Sequence, residues 1–467
     1  MQIDRQKLST IISDKSRLIF DNIPSEYLTD ALGRLHGEAD ALIFPLSTEE
    51  VSNVLRYAYT NHIPVTPRGA GTNLVGSTVP LKGGIILDFS RMNRVLELDK
   101  DTMTVTVEPG ILLQDLQAYV EKEGFFYPPD PGEKASSIGG NISTNAGGMR
   151  AVKYGVTRDY VRGLEVVLAD GTVLKAGGKQ VKDASGLSLK HLLIGSEGTL
   201  AVITKCLLRL LPKPETSVSV LVPYGDLSTG IQSVLTILRA DANPTAVEFM
   251  ERKVVALGES FSDVSYPRPD AGSYILLTFD GHREEVEANV ERVRRLATEN
   301  GALDYIVLTD PAQAADIWRV RGALVKAVEA VSEQEPVDIV VPISHTAEFI
   351  RFINELEAQT GMRMVSFGHA GDGNVHLCVV RDGRDDETWR RELLENMEKA
   401  YSKAYELGGV VSGEHGIGVS KRHYFMRETA QENLTVMNQI KNALDPYHIL
   451  NDQKSYIAGG TKDAEVV

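Results

Sequence analysis

Pro64-Val65-Thr66-Pro67-Arg68-Gly69-Ala70-Gly71-Thr72-Asn73-Leu74-Val75-Gly76 is a tight, glycine-rich turn that carries one arginine. Glycines in such a run let backbone N–H groups crowd around a phosphate. This is not a Rossmann fingerprint. The glycine spacing differs, and Ser77 to Phe89 reads as loop and then strand, with no helix opening behind the turn. Plain turns share the composition, so the segment gains meaning only beside two others. Pro129-Asp130-Pro131-Gly132 leads into Ser137-Ile138-Gly139-Gly140-Asn141-Ile142-Ser143-Thr144-Asn145-Ala146-Gly147-Gly148. Paired glycines alternating with small hydrogen-bonding residues let a flat ring lie on backbone; the same pattern also serves as a packing strip. Gly195-Ser196-Glu197-Gly198-Thr199-Leu200-Ala201-Val202-Ile203-Thr204 is a turn entering a strand, suited to an adenine or ribose edge.

A second constellation lies near the C-terminal end. Ser366-Phe367-Gly368-His369-Ala370-Gly371-Asp372-Gly373-Asn374-Val375-His376 is followed by Ser412-Gly413-Glu414-His415-Gly416-Ile417-Gly418. His369, His376 and Glu414 form a two-nitrogen, one-oxygen set that can hold one divalent metal (zinc, iron or manganese) and leave positions open for a substrate. Met364 to Phe367 and Val375 to Val380 read as strands around a glycine-rich turn. A hairpin folds His376 back across from His369, with Cα atoms about 5 Å apart. Consecutive side chains in an extended loop point apart, so Glu414 faces the metal while His415 faces another group. An imidazole there suits a base near neutral pH. Single strand histidines are also common as satisfied structural residues, and Glu-His pairs occur on surfaces without purpose.

The rest of the chain sets bounds. Its 467 residues, 42% hydrophobic and 24% charged, exceed what one core usually organises. A net charge of −15 repels phosphate backbones, which excludes nucleic acid as a partner. Cys206 and Cys378 are the two cysteines, too few for a disulfide framework or a thiolate cluster. Met1 to Lys7 is polar, without the apolar core of a signal peptide, and no stretch approaches the ~20 apolar residues of a membrane span. A cytoplasmic location is the expectation.

Residues 1–40 read as a helical lead-in, and 41–212 as the glycine-rich domain. Ser47-Thr48-Glu49-Glu50 is a capping box opening a helix with Val51, Val54, Leu55 and Ala58 on one face. Pro212-Lys213-Pro214 punctuates the chain. Residues 213–410 alternate longer strands and helices: strand Ser273 to Phe279, a stripe of Val286, Val290, Val293 and Leu296, then strand Tyr305 to Leu308. Strand, helix and strand recur at Val337 to Pro342, Ala347 to Gln359 and Met362 to Phe367. This predicts an antiparallel sheet covered by helices, of ferredoxin-like type. Residues 411–467 return to the first domain, with a helix near Glu432 to Ala443 and a tail after Ile457.

The three glycine-rich segments in this order, with the histidine cluster, resemble the FAD-linked D-2-hydroxyacid dehydrogenases of the vanillyl-alcohol oxidase superfamily. That family includes the glycolate oxidase large subunit, D-lactate dehydrogenases and D-2-hydroxyglutarate dehydrogenase. The resemblance runs from about Ala41 to Lys454. It implies an α+β fold: a two-subdomain FAD-binding domain of vanillyl-alcohol oxidase type, plus a cap domain with an antiparallel sheet covered by helices.

By position it assigns Arg68, Gly69, Ala70, Gly71, Thr72 and Asn73 to the FAD pyrophosphate, with Gly76, Ser77 and Pro131 also among the cofactor-binding residues. Ser137, Gly140, Asn141, Ser143 and Gly147 would line the isoalloxazine and diphosphate. Glu197, Gly198 and Ile203 would meet the adenosine end. Thr72 stands where some relatives carry a flavin-linking histidine, which implies non-covalent FAD. Asn451 and Lys454 match a terminal family motif whose Pro-Gly turn is missing here.

In this reading a metal-chelated 2-hydroxy acid gives its hydroxyl proton to His415 and hydride to FAD. Arg321 binds the carboxylate and Asn374 orients the substrate. Pro336 stands where relatives often place a further basic residue, which argues against a dicarboxylate and favours D-lactate, then glycolate. Electrons would pass to a separate protein, such as an electron-transfer flavoprotein or an iron-sulfur subunit. Alternatives are 2-hydroxyglutarate as substrate, a non-catalytic flavin subunit of a glycolate oxidase-type complex, a metallohydrolase and a non-redox flavoprotein.

Overall fold

The computed structural model describes residues 3–456, so Met1, Gln2 and the tail expected after Ile457 lie outside it. The chain forms two units. One runs to Ala146, resumes over Val156–Lys213 and again from Glu414; the other holds Gly147–Gly155 and Pro214–Gly413. The short segment Gly147–Gly155, expected within the glycine-rich domain, belongs to the second unit. There Asp280 Oδ1 accepts from Lys153 Nζ at 2.6 Å and from Tyr154 Oη at 2.8 Å.

The first unit contains two main sheets. A four-stranded sheet orders Leu18–Ile19, Ala41–Ile43, Ile85–Asp88 and Val65–Arg68. Its last three strands are parallel, and they are buried runs such as Ile85-Ile86-Leu87. The other is antiparallel, ordering Val95–Asp99, Thr104–Val107, Val202–Arg209, Val161–Val167 and Val173–Gly177. Helix Thr48–Thr60 buries Val51, Val54, Leu55 and Ala58 in a core shared with Ile85, Val167, Val202 and Leu450. Each fully buried Val or Leu there contributes roughly 1.5–3 kcal/mol.

Ser47 caps this helix by accepting from Glu50 N–H, but Glu50 accepts from Leu46 N–H and Arg17 instead of closing the box on Ser47. The lead-in is only partly helical. Arg5–Ile11 is a helix, while Leu18–Ile19 joins the sheet against Leu42 and Ile43.

The second unit is built on one seven-stranded antiparallel sheet. Its order is Ile306–Val307, Thr216–Tyr224, Ser273–Gly281, Ala246–Glu251, Met364–His369, Asn374–Val380 and Gln334–Val340. Helices Arg252–Ser262 and Pro311–Glu329 cover one face, where Val254, Val320 and Leu324 meet Leu276, Val365 and Phe367. Among the described residues, no helix is long and apolar enough to cross a membrane.

Candidate active site

In the first unit the turn after Val65–Arg68 lies against the start of helix Ile138–Thr144. Ser137 caps that helix, and its Oγ accepts from Gly140 N–H and Ala70 N–H, both at 3.3 Å. A Cβ on Gly69 would sit 2.0 Å from that hydroxyl, so a side chain there would displace the Ser137 cap. Gly71 has φ +74 and leaves no room for a side chain above the Arg68 guanidinium. The backbone N–H groups of Gly71, Thr72 and Asn73 donate to no protein acceptor among the described residues. Three free donors on a partly exposed turn fit an anionic diphosphate.

Other residues expected at the cofactor have partners within the protein. Arg68 turns inward: its Nη2 donates to Glu26 C=O at 2.8 Å, and its guanidinium lies 5.2 Å from the Tyr27 ring centroid. Burial lowers its pKa, and Asp88 opposes that shift. It buttresses the turn from beneath. The Asn73 side chain is spent on the loop, accepting from Val75 and Ser77 N–H and donating to the His415 carbonyl at 3.1 Å.

Glu197 was expected at an adenosine. Its carboxylate accepts from Ser77 Oγ (2.6 Å), Ile417 N–H (3.0 Å) and Gly418 N–H (2.9 Å). It is a clamp on the loop that carries His415. Gly198, at φ +71, packs against Pro67, while Ile203, Pro131 and Asn141 are buried and Ser143 Oγ donates to Gly139 C=O. Gly76 also sits at positive φ, with Leu35 where a Cβ would be. Gly147 folds with the second unit.

The missing Pro-Gly turn is replaced by left-handed residues: Asn451 has φ +47 and Gln453 φ +64. Asn451 Nδ2 donates to Ser77 C=O and Glu197 C=O, and Lys454 Nζ donates to Ser77 C=O and Asn451 Oδ1. Burial brings the Lys454 pKa down from its ordinary 10.5 to about 7, and Glu197 opposes the shift. Below about pH 7 both folded and unfolded chains carry this charge, and the fold bears its burial cost in full. Above that the folded chain sheds the proton while the unfolded chain keeps it to 10.5, so this group makes stability rise with pH in that window. Lys454→Met should remove a rise of up to about 1.4 kcal/mol per pH unit between roughly pH 7 and 10. Urea unfolding of both proteins across that window measures it; equal slopes would refute the assignment.

In the second unit the two histidines converge, by a register that differs from simple opposition. His369 faces Asn374 across the hairpin, and His376 faces Phe367. The histidines are therefore diagonal neighbours on one face, because the turn 370–373 takes four residues. Their rings still meet, with Nε2 atoms 3.3 Å apart. Two ring nitrogens this close fit a shared cation when both are unprotonated.

Glu414 follows Gly413, the residue at which the chain leaves this unit, so the peptide bond holds it beside the hairpin. One ligand atom from each of His369, His376 and Glu414 lies within 4.8 Å of the others. Nitrogen, nitrogen and carboxylate oxygen suit zinc, iron or manganese.

Two acids that sequence reasoning passed over complete this face. Glu248 is the cross-strand partner of His369, and Asp338 that of His376. Both have relative exposures of 0%. Glu248 Oε1 lies 2.7 Å from His369 Nδ1, and Oε2 accepts from Arg321 Nε (2.9 Å) and Nη2 (2.5 Å). Burial pushes the Glu248 pKa up, yet His369 and Arg321 together hold it below the ordinary value. Asp338 accepts from Asn374 Nδ2 (2.8 Å), Ser412 Oγ (2.8 Å) and Gly413 N–H (3.0 Å), anchoring the loop just before Glu414. Asn374 must turn its NH2 to that carboxylate, which leaves its buried Oδ1 as an acceptor with no partner among the described residues.

The domain family described as FAD linked oxidases, C-terminal domain, matches residues 213–455, and the FAD binding domain family matches residues 39–177. This chain belongs to the FAD-linked oxidases of the vanillyl-alcohol oxidase family. It is an FAD-linked oxidoreductase, with the mixed α+β architecture of that family.

It is 42% identical over 452 residues, 95% of each chain, to a D-lactate dehydrogenase of Anaerostipes hadrus. It is 37% identical to the glycolate oxidase subunit GlcD of Bacillus subtilis, covering 93% of each chain. Among solved structures, p-cresol methylhydroxylase superposes with a TM-score of 0.79 at 17% identity, covering 97% of this chain and 96% of that one. 4-Ethylphenol oxidase from Gulosibacter chungangensis gives 0.76 at 19% identity, covering 96% and 97%. These two likenesses concern the fold alone.

Proposed function

We propose that this protein is an FAD- and metal-dependent dehydrogenase that oxidises a small D-2-hydroxy acid to the 2-oxo acid. D-lactate is the favoured substrate and glycolate the next. The carrying observation is the His369–His376 pair, two imidazole nitrogens 3.3 Å apart with a carboxylate in reach, in a chain of an FAD-linked oxidase family. Bound FAD would supply a two-electron acceptor for hydride, and a bound divalent ion a Lewis acid that lowers the hydroxyl pKa.

The chain's own residues do the rest. His369, His376 and Glu414 hold the ion. His415 accepts the hydroxyl proton, on a loop fixed by Asn73 and Glu197. Asn374 Oδ1 accepts from the substrate hydroxyl. Arg321, with Nε and Nη2 on Glu248, offers its remaining Nη1 edge to the carboxylate. FAD is held without a covalent link, Thr72 standing where a linking histidine would be.

Pro336, within strand Gln334–Val340, stands where the family resemblance would place a further basic residue, which favours lactate over 2-hydroxyglutarate. The second reading keeps 2-hydroxyglutarate, on the 34% identity to a probable D-2-hydroxyglutarate dehydrogenase of Oryza sativa subsp. indica. Both cysteines are buried and free, so no iron-sulfur centre is built from this chain. The electrons pass to a separate acceptor, an electron-transfer flavoprotein or an iron-sulfur subunit.

Anaerobic addition of D-lactate, glycolate, D-malate and D-2-hydroxyglutarate to the flavin-loaded protein tests both readings. D-lactate should bleach the flavin fastest, and fastest bleaching by D-2-hydroxyglutarate would select the second reading. A flavin that stays oxidised with all four acids would overturn the dehydrogenase proposal.

A further inference from the structure

Glu248 has no part in the reaction described above, yet it is a fully buried charge on the sheet face that carries the histidines. Strand Ala246–Glu251 brings it directly opposite His369, and helix Pro311–Glu329 brings Arg321 over it. One oxygen faces His369 Nδ1 at 2.7 Å, and the other takes both Arg321 bonds. A carboxylate only accepts, so the proton between Glu248 and His369 sits on Nδ1. That leaves the Nε2 lone pair directed at His376 Nε2.

We propose that Glu248 is a positioning residue that fixes His369 as its Nδ1–H tautomer, making Nε2 the metal-binding atom, and orients Arg321 by its Nε/Nη2 edge. The inference rests on the metal reading above for its purpose, while the tautomer itself is a property of the metal-free protein. A buried imidazole lacking this acceptor exchanges tautomers and spends part of its time with Nε2 protonated. Outer-shell partners of this kind are worth about 10–100-fold in metal affinity.

Glu248→Gln tests the mechanism because it keeps the side chain's shape and changes one atom. The Arg321 guanidinium has no acceptor capacity, so the oxygen of the introduced amide must turn to it. The amide NH2 then faces His369 Nδ1, driving the proton to Nε2, where it blocks the metal. Long-range proton–nitrogen spectra of histidine-labelled, flavin-loaded, metal-stripped full-length protein should show His369 as Nδ1–H, with its signals assigned by their loss in His369→Gln. In E248Q the signal should switch to Nε2–H, and Mn(II) and Zn(II) affinity should fall about 10–100-fold with flavin content unchanged.

An Nε2–H His369 in the unmutated protein would overturn the proposal without any variant having to fold. So would an E248Q affinity within about twofold of the parent, well short of what an outer-shell partner contributes. If His369→Ala and His376→Ala leave metal affinity intact, the metal reading fails instead, and the tautomer assignment is judged by the spectra alone.

Discussion

His369→Ala and His376→Ala should each purify yellow and nearly metal-free, with turnover reduced about 10³-fold or more. The argument is one of separable parts. The residues that fit a diphosphate lie in the first unit, at Gly69 to Asn73 and Ser137 to Gly140, and neither histidine contributes to them. Removing one imidazole leaves one nitrogen and one carboxylate, too few to hold an ion against exchange. Lewis-acid stabilisation of the developing alkoxide is worth several kcal/mol, and each ~1.36 kcal/mol is tenfold in rate. Elemental analysis and flavin absorbance on the same sample decide the matter. Full metal occupancy in both variants would remove the ligand assignment, and loss of flavin would show that the two parts are not separable.

His415→Ala should behave differently: metal and flavin both retained, with flavin reduction by D-lactate slowed about 10²–10⁴-fold, the range for loss of a positioned base. Its loop has anchors that do not involve the imidazole. Asn73 holds the His415 carbonyl, Glu197 holds the N–H groups of Ile417 and Gly418, and Ser455 N–H donates to Gly418 C=O at 2.7 Å. A small external base such as imidazole should restore part of the rate, rising with its concentration. Reduction at the parent rate in the untreated variant would take the base assignment away from this residue.

Much of this arrangement is legible in the sequence because it is local. A glycine-flanked His-x₆-His hairpin announces itself, and it forms at Met364–His369 and Asn374–Val380. The glycine-rich turns announce themselves too, since the Ser137 side chain crowds Gly69 and positive φ favours glycine at Gly71. What sequence cannot show is where long side chains turn. Arg68, Asn73 and Glu197 stand in the right segments, but their polar ends are drawn inward to Glu26, Val75, Ser77 and Ile417.

Nor does the sequence announce Glu248 and Asp338. Each is a lone acid in a strand with apolar neighbours, Val247 and Phe249 in one case and Val337 and Ile339 in the other. The available signal is weak: a charge where strand periodicity points to a buried face. Its meaning depends on a partner 121 residues away for Glu248 and 38 for Asp338, the separations of Glu248 from His369 and of Asp338 from His376.

Glu248, His369, His376 and Asp338 come from four adjacent strands whose pleat turns all of them the same way. Gly373, at φ +83 with Val341 C=O where a Cβ would stand, locks the hairpin register that keeps them there. This strand-borne half of the centre stands apart from the loops, whereas Glu414 and His415 ride on one. Descendants of such a scaffold are free to acquire new appetites for substrates by remodelling other rims, provided that this one loop keeps its anchors.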